Sequence, residues 1–374
     1  MTKPLLLASL ALSASAFSGS MAQAEPAWPQ AKEGLWTFYG AINQAYMSYD
    51  DGQESRGFLT VDNATNFEGS NIGFLRNGVF GNGMEFSARF ELGVTPRPSD
   101  EVSLQAPAGP SFTIQADDIW HAEIRFGRPE GGTFYLGQGD MTANLAAPDY
   151  SGTTVIAGPN VSLIAGDMLL RRTDGTLSNR TLDEAIGTFD SGRKFRARYD
   201  SPSFGKFSFS GSVGWDLEDS DDDSTYVDVL GRYDHSGAIW DYAAVLSVNG
   251  IGDDEYAGMI SFGYLHKPSG INMTFTGTHA TNEQHYFYMK VGVVQDLFAI
   301  GSTAVSIDWY NNGNWAAKGA ETETFGLSIV QDVDAANLQV YGMVRGFDAY
   351  NNLDIEDENF LKSEAFAAGI RWTF

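Results

Sequence analysis

Histidine is the side chain most suited to general base chemistry near neutral pH, and this chain of 374 residues contains five. They are His121, His235, His266, His279 and His285. A hydrolytic enzyme needs such a base beside an activated nucleophile, and no serine near these histidines lies in a recognisable motif. His279 and His285 flank the turn-like TNEQ and could bind a metal ion together, although two polar side chains at strand ends are the more ordinary interpretation. The sequence therefore predicts no enzymatic activity and no cofactor.

Positively charged side chains in the middle of the chain alternate with apolar ones. Lys194, Arg196 and Arg198 are separated by Phe195, Ala197 and Tyr199. Successive side chains of a β-strand point to opposite faces, so the three cations share one face of a strand. The same alternation predicts a charged face in mid-strand for several other residues: Arg89, Arg125, Glu85, Glu91, Glu123 and Asp308.

Acidic residues give the chain a formal net charge of −25, which argues against nucleic acid as a partner. Many of them cluster between predicted strands: Asp50, Asp51, Glu54, Asp219, Asp221, Asp222, Asp223, Asp253, Asp254, Glu255, Asp354, Glu356, Asp357 and Glu358. The run EDSDDDS at 218–224 could bind Ca²⁺ through Asp221, Asp222 and Asp223, because carboxylate oxygens suit a hard cation. Its spacing matches no ordered calcium motif, so a solvated loop is the preferred interpretation.

The elements that position these charges are β-strands, because alternation of apolar and polar residues continues to the last residues, AFAAGIRWTF. About sixteen strands are expected, with bounds good to about two to four residues. Their spans are 35–48, 69–76, 84–95, 117–128, 133–139, 190–200, 207–216, 225–234, 238–248, 255–267, 271–280, 285–296, 302–312, 321–331, 337–347 and 361–374. Helical periodicity is limited to short pieces between residues 155 and 187.

Short turns alternate with longer acidic connections, which predicts an antiparallel up-and-down meander. In a soluble sandwich, as in a secreted lectin, the apolar faces would form a core. In a transmembrane β-barrel they would contact lipid, and the polar faces would enclose water. Charged residues in mid-strand, strands of about ten residues and the need to pair every strand edge favour the barrel.

The first 24 residues predict export from the cytoplasm. Lys3, an apolar run from Leu5 to Phe17 and the Ala-x-Ala end at Ala22–Ala24 are typical of a secretory signal peptide. The remaining residues, 25–374, would form one barrel domain. The chain has no cysteine, so disulfides cannot stabilise this exported domain.

Three stretches together resemble the general, trimeric porins of the Gram-negative outer membrane, a family of 16-stranded barrels. SNIGFLRNGVFGNGMEFSARFELG (70–93) resembles the family's second strand, periplasmic turn and third strand. GGTFYLGQGDMTA (131–143) is similar to the fifth strand entering the long third loop, and RARYDSPSFGKFSFSGS (196–212) to the sixth and seventh strands. The resemblance implies that residues 140–189 fold into the lumen as a constriction loop.

Within that loop, APDYSG (147–152) resembles a family element that places an acidic group, here Asp149, at the constriction. The second acidic position expected four residues earlier is Leu145, so it does not carry over. The family's basic wall opposite the loop also differs, because Asn71 and Gln138 stand where arginines are usual. The candidates that remain are Lys194, Arg196, Arg198, Arg125 and Arg89. An equally weighted alternative is that these cations only pair with Glu85, Glu91 or Glu123.

By this resemblance the protein is a passive diffusion channel of the outer membrane for small hydrophilic solutes and ions. The acidic loops at its mouth predict modest cation selectivity. A channel specific for sugars or other nutrients is the alternative, with Tyr286, Tyr288 and Tyr310 on the lumen-facing parity. The resemblance further implies a homotrimer, contact with lipid and lipopolysaccharide, and reading of the terminal Phe374 by the barrel-insertion machinery.

Overall fold

The computed structural model describes residues 34–61, 69–109, 114–217, 224–252, 255–351 and 359–374. The expected signal peptide and the calcium candidates Asp221, Asp222 and Asp223 lie outside these residues, as do most of the acidic residues expected at the mouth. Nineteen strands are described: β1 (Trp36–Asp50), β2 (Ser55–Val61), β3 (Asn71–Val79), β4 (Glu85–Gly93), β5 (Ile119–Arg128), β6 (Gly132–Asp140), β7 (Leu169–Arg171), β8 (Leu177–Thr181), β9 (Arg193–Asp200), β10 (Phe207–Trp215), β11 (Tyr226–Ser236), β12 (Trp240–Gly252), β13 (Glu255–His266), β14 (Ile271–Ala280), β15 (His285–Phe298), β16 (Gly301–Gly313), β17 (Ala320–Val333), β18 (Leu338–Asn351) and β19 (Ser363–Thr373).

The main sheet closes on itself because its first and last strands pair. Strand β1 pairs with β19 in an antiparallel register that runs from Ala41 opposite Thr373 to Asp50 opposite Glu364. On its other edge, β1 pairs with β2 along one half and with β3 along the other. Strands β2 and β3 therefore share one position, and the seventeen strands of the main sheet make a closed antiparallel barrel of sixteen positions. This order excludes the sandwich.

Positions in the barrel are counted from β1. Strands β2 and β3 occupy the second position, β4, β5 and β6 the third to fifth, β9 the sixth, and β10 to β19 the seventh to sixteenth. All sixteen predicted strands are confirmed to within a few residues. The prediction was wrong in one respect: between the first two predicted strands, 35–48 and 69–76, Ser55–Val61 forms the additional strand β2.

The two faces of the barrel wall differ in composition as the alternation predicted. Large apolar side chains stay exposed on the outer face, with Leu246 at 65% and Val229 at 60% exposure. The inner face carries buried serines, threonines and charged groups such as Thr274, Ser306 and Arg196. Apolar side chains facing outward and polar ones facing inward are the pattern of a barrel that lies in lipid.

The terminal residue completes a group of aromatic side chains on the outer face. The Phe374 ring lies 5.4 Å from the Phe38 ring and 5.0 Å from the Trp372 ring, measured between centroids. Backbone hydrogen bonds between Phe374 and Gly40 extend the β1–β19 pairing to the end of the chain. Aromatic side chains at strand ends mark the boundary between hydrocarbon and water.

Helices are few and short in the described ranges. They comprise α1 (Leu182–Ala185) and the 3-10 turns Val161–Leu163 and Asp334–Ala336. Two of these three fall in the 155–187 stretch where short helical pieces were expected. None of the helices in the described part of the chain has the length and apolar character needed to cross a membrane.

Candidate functional site

The long connection, residues 141–192 between β6 and β9, forms hydrogen bonds with side chains of several strands. Its polar contacts run along strands β10 to β16, and its backbone supplies most of them. They join Thr142 N to Ser212 Oγ (2.8 Å), Ala143 N to Asp228 Oδ2 (2.9 Å), Asn249 Nδ2 to Phe189 O (2.7 Å), Thr274 Oγ1 to Pro148 O (3.0 Å) and Asn312 Nδ2 to Ala185 O (3.0 Å). Strand side chains thus satisfy backbone groups that an irregular segment would otherwise leave unpaired.

Apolar packing under the long connection covers the three tyrosines singled out from the sequence. Tyr286, Tyr288 and Tyr310 have the inward parity that was predicted, and each is at most 1% exposed. The rings of Phe189 and Tyr286 stack at 6.1 Å, and those of Tyr286 and Tyr310 at 5.6 Å. The Tyr310 hydroxyl donates a hydrogen bond to the Gly187 carbonyl. These tyrosines therefore support the connection and do not offer an open surface to a sugar.

The middle of the long connection is attached at the mouth of the barrel. Arg171 of β7 donates from Nε to Asp51 Oδ2 at 2.9 Å, and its Nη2 lies 2.7 Å from the same oxygen. Burial opposes ionisation of Asp51, but the Arg171 guanidinium and the backbone N–H groups of Glu54 and Gln53 outweigh it and lower the pKa of this carboxyl. Asp51 is thus an ionised group of the mouth whose charge is paired.

Asp149, the predicted constriction acid, forms a buried ion pair. Its Oδ2 lies 2.5 Å from Nζ of Lys290 on β15, and its Oδ1 accepts a hydrogen bond from Ser151 N at 2.7 Å. Lys290 is fully buried and also donates to the Ala157 carbonyl at 2.7 Å. Sequence reasoning missed Lys290, although its inward parity with Tyr286 and Tyr288 was a signal that could have found it.

The five predicted cations Arg89, Arg125, Lys194, Arg196 and Arg198 all point inward, and we refer to them as the basic wall. Arg89 and Arg196 meet around Glu123. Arg196 Nη2 lies 2.5 Å from Glu123 Oε2, and Arg89 Nη1 lies 3.9 Å from Glu123 Oε1. Arg89 also pairs with Glu91 at 2.8 Å.

The remaining cations of the basic wall have their own contacts. Lys194 Nζ lies 2.8 Å from Asp216 Oδ2 and 3.9 Å from the Tyr226 ring centroid. Arg198 contacts both oxygens of Asp200, at 2.8 and 3.1 Å. Arg125 Nε donates to Ser87 Oγ at 3.2 Å. The basic wall is therefore a group of mixed charge, in which at least four of the five cations contact a carboxylate.

A histidine that sequence reasoning left unassigned lies inside this charged group. His121 Nδ1 is 3.1 Å from Glu123 Oε1, and its Nε2 is 3.6 Å from Asp140 Oδ2. His279 and His285 face each other across β14 and β15 with ring centroids 6.2 Å apart. Among the residues that the structure describes, no group of three or more acidic or histidine side chains is arranged to hold a metal ion.

The Asp149–Lys290 ion pair and the basic wall lie on opposite sides of the barrel. Lys290, which binds Asp149, is on the strand at position twelve, whereas the five cations are on strands at positions three, four and six. On a closed circuit of sixteen these positions are six to eight strands apart. A closed barrel with an apolar outer face and a polar, charged interior defines the class of outer-membrane channel proteins.

The family model of the Gram-negative porins matches residues 8–352, and the chain therefore belongs to this family, whose place is the outer membrane. No curated protein sequence matches the chain.

Solved structures with the same fold have little sequence in common with this chain. An anion-selective porin from Comamonas acidovorans is 12% identical, with a TM-score of 0.58, and the match covers 91% of this chain and 99% of that one. Outer-membrane expressed OmpT of Vibrio cholerae is 11% identical, with a TM-score of 0.59 and coverage of 92% and 99%. OmpF of Salmonella typhi, in complex with daunomycin, is 12% identical, with a TM-score of 0.56 and coverage of 91% and 97%. At these identities the likeness concerns the fold.

Proposed function

We propose that the protein is a passive diffusion channel for small hydrophilic solutes and ions, and that the long connection lies in the lumen as its constriction loop. The observation that carries this proposal is the row of contacts between residues 141–192 and the inward-facing side chains of β10 to β16. The Asp149–Lys290 pair lies six to eight strands from the basic wall, and the proposed passage runs between them. The channel needs no cofactor and no enzymatic step.

The passage has a carboxylate, Asp149, on the side of the loop and the basic wall opposite it. Charges of opposite sign across a narrow gap with low-dielectric walls create a transverse field. Polar solutes align with such a field, whereas large apolar solutes would have to displace ordered water at a cost in free energy. Discrimination is therefore by size and polarity, without a specific binding site for one solute.

We further propose that the channel is modestly selective for cations. Cations of the basic wall are paired with carboxylates, while the whole chain carries a net charge of −25 and many acidic residues in its loops. A negative mouth raises the local concentration of cations within about a Debye length. The anion-selective relative from Comamonas acidovorans is too distant, at 12% identity, to decide the sign.

The sign of the selectivity is tested by the reversal potential of the purified channel in a KCl gradient across a planar bilayer. A potential with the sign of potassium permeation supports the proposal. A potential with the sign of chloride permeation would contradict the cation preference while leaving the channel function in place.

Diffusion without a dedicated sugar site is favoured over the nutrient-specific alternative by the burial of Tyr286, Tyr288 and Tyr310. These were the aromatic residues from which such a site could have been built, and the long connection covers them. A panel of sugars and amino acids in liposome-swelling assays separates the two. Uptake that falls smoothly with solute size supports diffusion, and a large preference for one sugar would support the alternative.

We propose that three copies assemble through the outer faces of the first few strands. The trimer form of OmpT from Vibrio cholerae, 12% identical over 92% of this chain, supports a trimer for this fold. Cyclic closure would bring the same two patches of neighbouring copies together at each of the three interfaces. The remaining outer face would contact lipid and lipopolysaccharide. We also propose that Phe374 is read by the barrel-insertion machinery, and that any calcium bound by Asp221, Asp222 and Asp223 is accessory.

A further inference from the structure

Four neighbouring strands carry a row of charges across the inner wall beneath the long connection. Lys290 of β15 lies directly opposite Asp308 of β16, Asp308 opposite Gly326 of β17, and Gly326 opposite Arg345 of β18. Arg345 Nη2 lies 2.7 Å from Asp308 Oδ1. With Asp149 bound to Lys290, the signs alternate as minus, plus, minus and plus. We refer to Asp149, Lys290, Asp308 and Arg345 as the charged row.

The charged row depends on a glycine at its centre. Strand β17 lies between Asp308 and Arg345, so the arginine must cross it to reach the carboxylate. A Cβ atom on Gly326 would lie 2.5 Å from Asp308 Oδ2 and 2.6 Å from Arg345 Nη2. Any other residue would therefore occupy the space through which the ion pair forms. Arg345 is also held by Thr324, whose Oγ1 accepts a hydrogen bond from Nη1 at 2.8 Å.

Three members of the charged row are shielded from water, and Asp149 is the most exposed of the four. The side chains of Lys290, Asp308 and Arg345 are at most 1% exposed, and that of Asp149 is 8% exposed. The formal charges of these four groups cancel. A buried charge that loses its partner is strongly unfavourable, whereas a charge in an intact ion pair is tolerated. Asp149 is the only member that belongs to the long connection, so the buried cation Lys290 gives this segment a strong preference for one position.

We propose that Lys290 is a positioning residue that fixes the long connection through Asp149 and thereby sets the width of the passage. The inference rests on the proposed channel function and deepens it. In this arrangement Asp149 is the attachment point of the loop as well as a charge beside the passage. Two further contacts lie close to it: Thr153 Oγ1 is 2.7 Å from Ser306 Oγ, and Lys290 binds the Ala157 carbonyl.

The test compares single-channel recordings of the wild-type protein with the variant Lys290→Met. This substitution keeps the length of the side chain and removes the charge that holds Asp149. We expect noisier open channels and a conductance changed by a factor on the order of two, because the pore diameter controls permeation. The matched control is Lys267→Met. It also breaks a lysine–aspartate pair, since Lys267 Nζ lies 2.9 Å from Asp241 Oδ1, but Lys267 is in a turn outside the long connection. The control should behave as the wild-type protein.

A disulfide rescue separates positioning from general damage. The chain has no cysteine, so the double substitution Thr153→Cys and Ser306→Cys introduces a single possible pair where two hydroxyls already touch. Placed in the Lys290→Met protein, the oxidised pair should restore wild-type conductance, and reduction should return it to the altered value. If Lys290→Met prevents folding, the double variant Asp149→Asn/Lys290→Met takes its place, because it leaves no unpaired charge in the row. Its channel should show the same increase in noise and the same change in conductance.

The outcomes distinguish this inference from the proposed function. If the Lys290→Met channel has wild-type conductance and noise, the positioning role is overturned and the channel function stands. The same holds for the Asp149→Asn/Lys290→Met channel if the single variant does not fold. An altered channel that the oxidised disulfide does not restore would also overturn it. Absence of conductance from the folded wild-type protein would instead remove the channel function itself.

Discussion

At the scale of single residues, Asp149 has two proposed roles: it is a negative charge beside the passage, and it is the ion-pair partner of Lys290. Substituting Asp149 by Asn removes a negative charge from the loop side and leaves the Lys290 cation, 2.5 Å away in the wild type, without its counter-charge. We expect the reversal potential in a KCl gradient to move toward zero, because the local field becomes more positive. The control is Asp296→Asn, which changes an exposed aspartate near the end of β15, the strand that carries Lys290. An unchanged potential in Asp149→Asn would remove Asp149 from the selectivity site.

Asp190 lies at the far end of the long connection, and its carboxyl group is expected to make the channel noise depend on pH. Burial raises the pKa of this carboxyl to about 7, and the hydrogen bond from Leu145 N offsets only part of that effect. A carboxyl with a raised pKa stabilises the folded state when it is protonated. That contribution declines as the pH rises above the ordinary value and is lost once the pH passes about 7.

The ionised form of Asp190 would lie in buried surroundings beside Tyr286, so the long connection should become less firmly attached above pH 7. Channel noise is therefore expected to increase between about pH 6 and pH 8. The variant Asp190→Asn keeps the shape and stays neutral, and its noise should be flat over this range. A wild-type channel with no change across the range, or a variant with the same change, would contradict this role.

At the scale of strands, substitution by alanine is expected to change the stability of the barrel at one of two glycines near the charged row and not at the other. A Cβ on Gly326 would lie within 2.6 Å of Asp308 and Arg345, whereas a Cβ on Gly346 of β18 meets nothing within 4 Å. Gly326→Ala is expected to destabilise the barrel by about 1–3 kcal/mol through overpacking. Gly346→Ala should change stability little. Urea unfolding of the refolded barrel in detergent measures both, and equal stability of the two variants would argue against a close-packed charged row.

The bounds and faces of the strands could be predicted from the sequence because alternation is a local signal. Strand β2 could not, since its seven residues follow a tight turn and pair with only half of β1. The inward parity of the basic wall and of Asp308 was predicted by the same signal. The partners within the charged row could not be predicted, because Lys290, Asp308 and Arg345 become neighbours only through the register of four strands.

The position of the long connection also lay beyond sequence reasoning alone. A family resemblance placed residues 140–189 in the lumen, but the residues themselves gave no alternation from which contacts follow. Its attachment depends on single carbonyl groups, such as those of Pro148, Ala157 and Ala185, that meet wall side chains. Such contacts depend on the path of the backbone, which hydrophobic periodicity does not specify.

At the scale of the whole molecule, a closed and fully paired barrel predicts resistance to detergent. Among the described residues, the antiparallel pairing of the main sheet continues from β1 round to β19, so unfolding of this sheet must break many hydrogen bonds together. Unheated protein in SDS should migrate differently from boiled protein, and a trimer should appear as a slower band. Chemical cross-linking before electrophoresis provides the check. A single band at the monomer position under every condition would contradict the trimer.

A diffusion channel requires that the inward-facing polar side chains enclose water through which solutes can pass. The direct measurement is the current through a planar bilayer to which folded, detergent-purified protein is added. We expect stepwise increases of uniform size, together with liposome swelling that is fast for small sugars and slow for larger ones. Folded barrels that insert into the bilayer and carry no current would contradict the channel function.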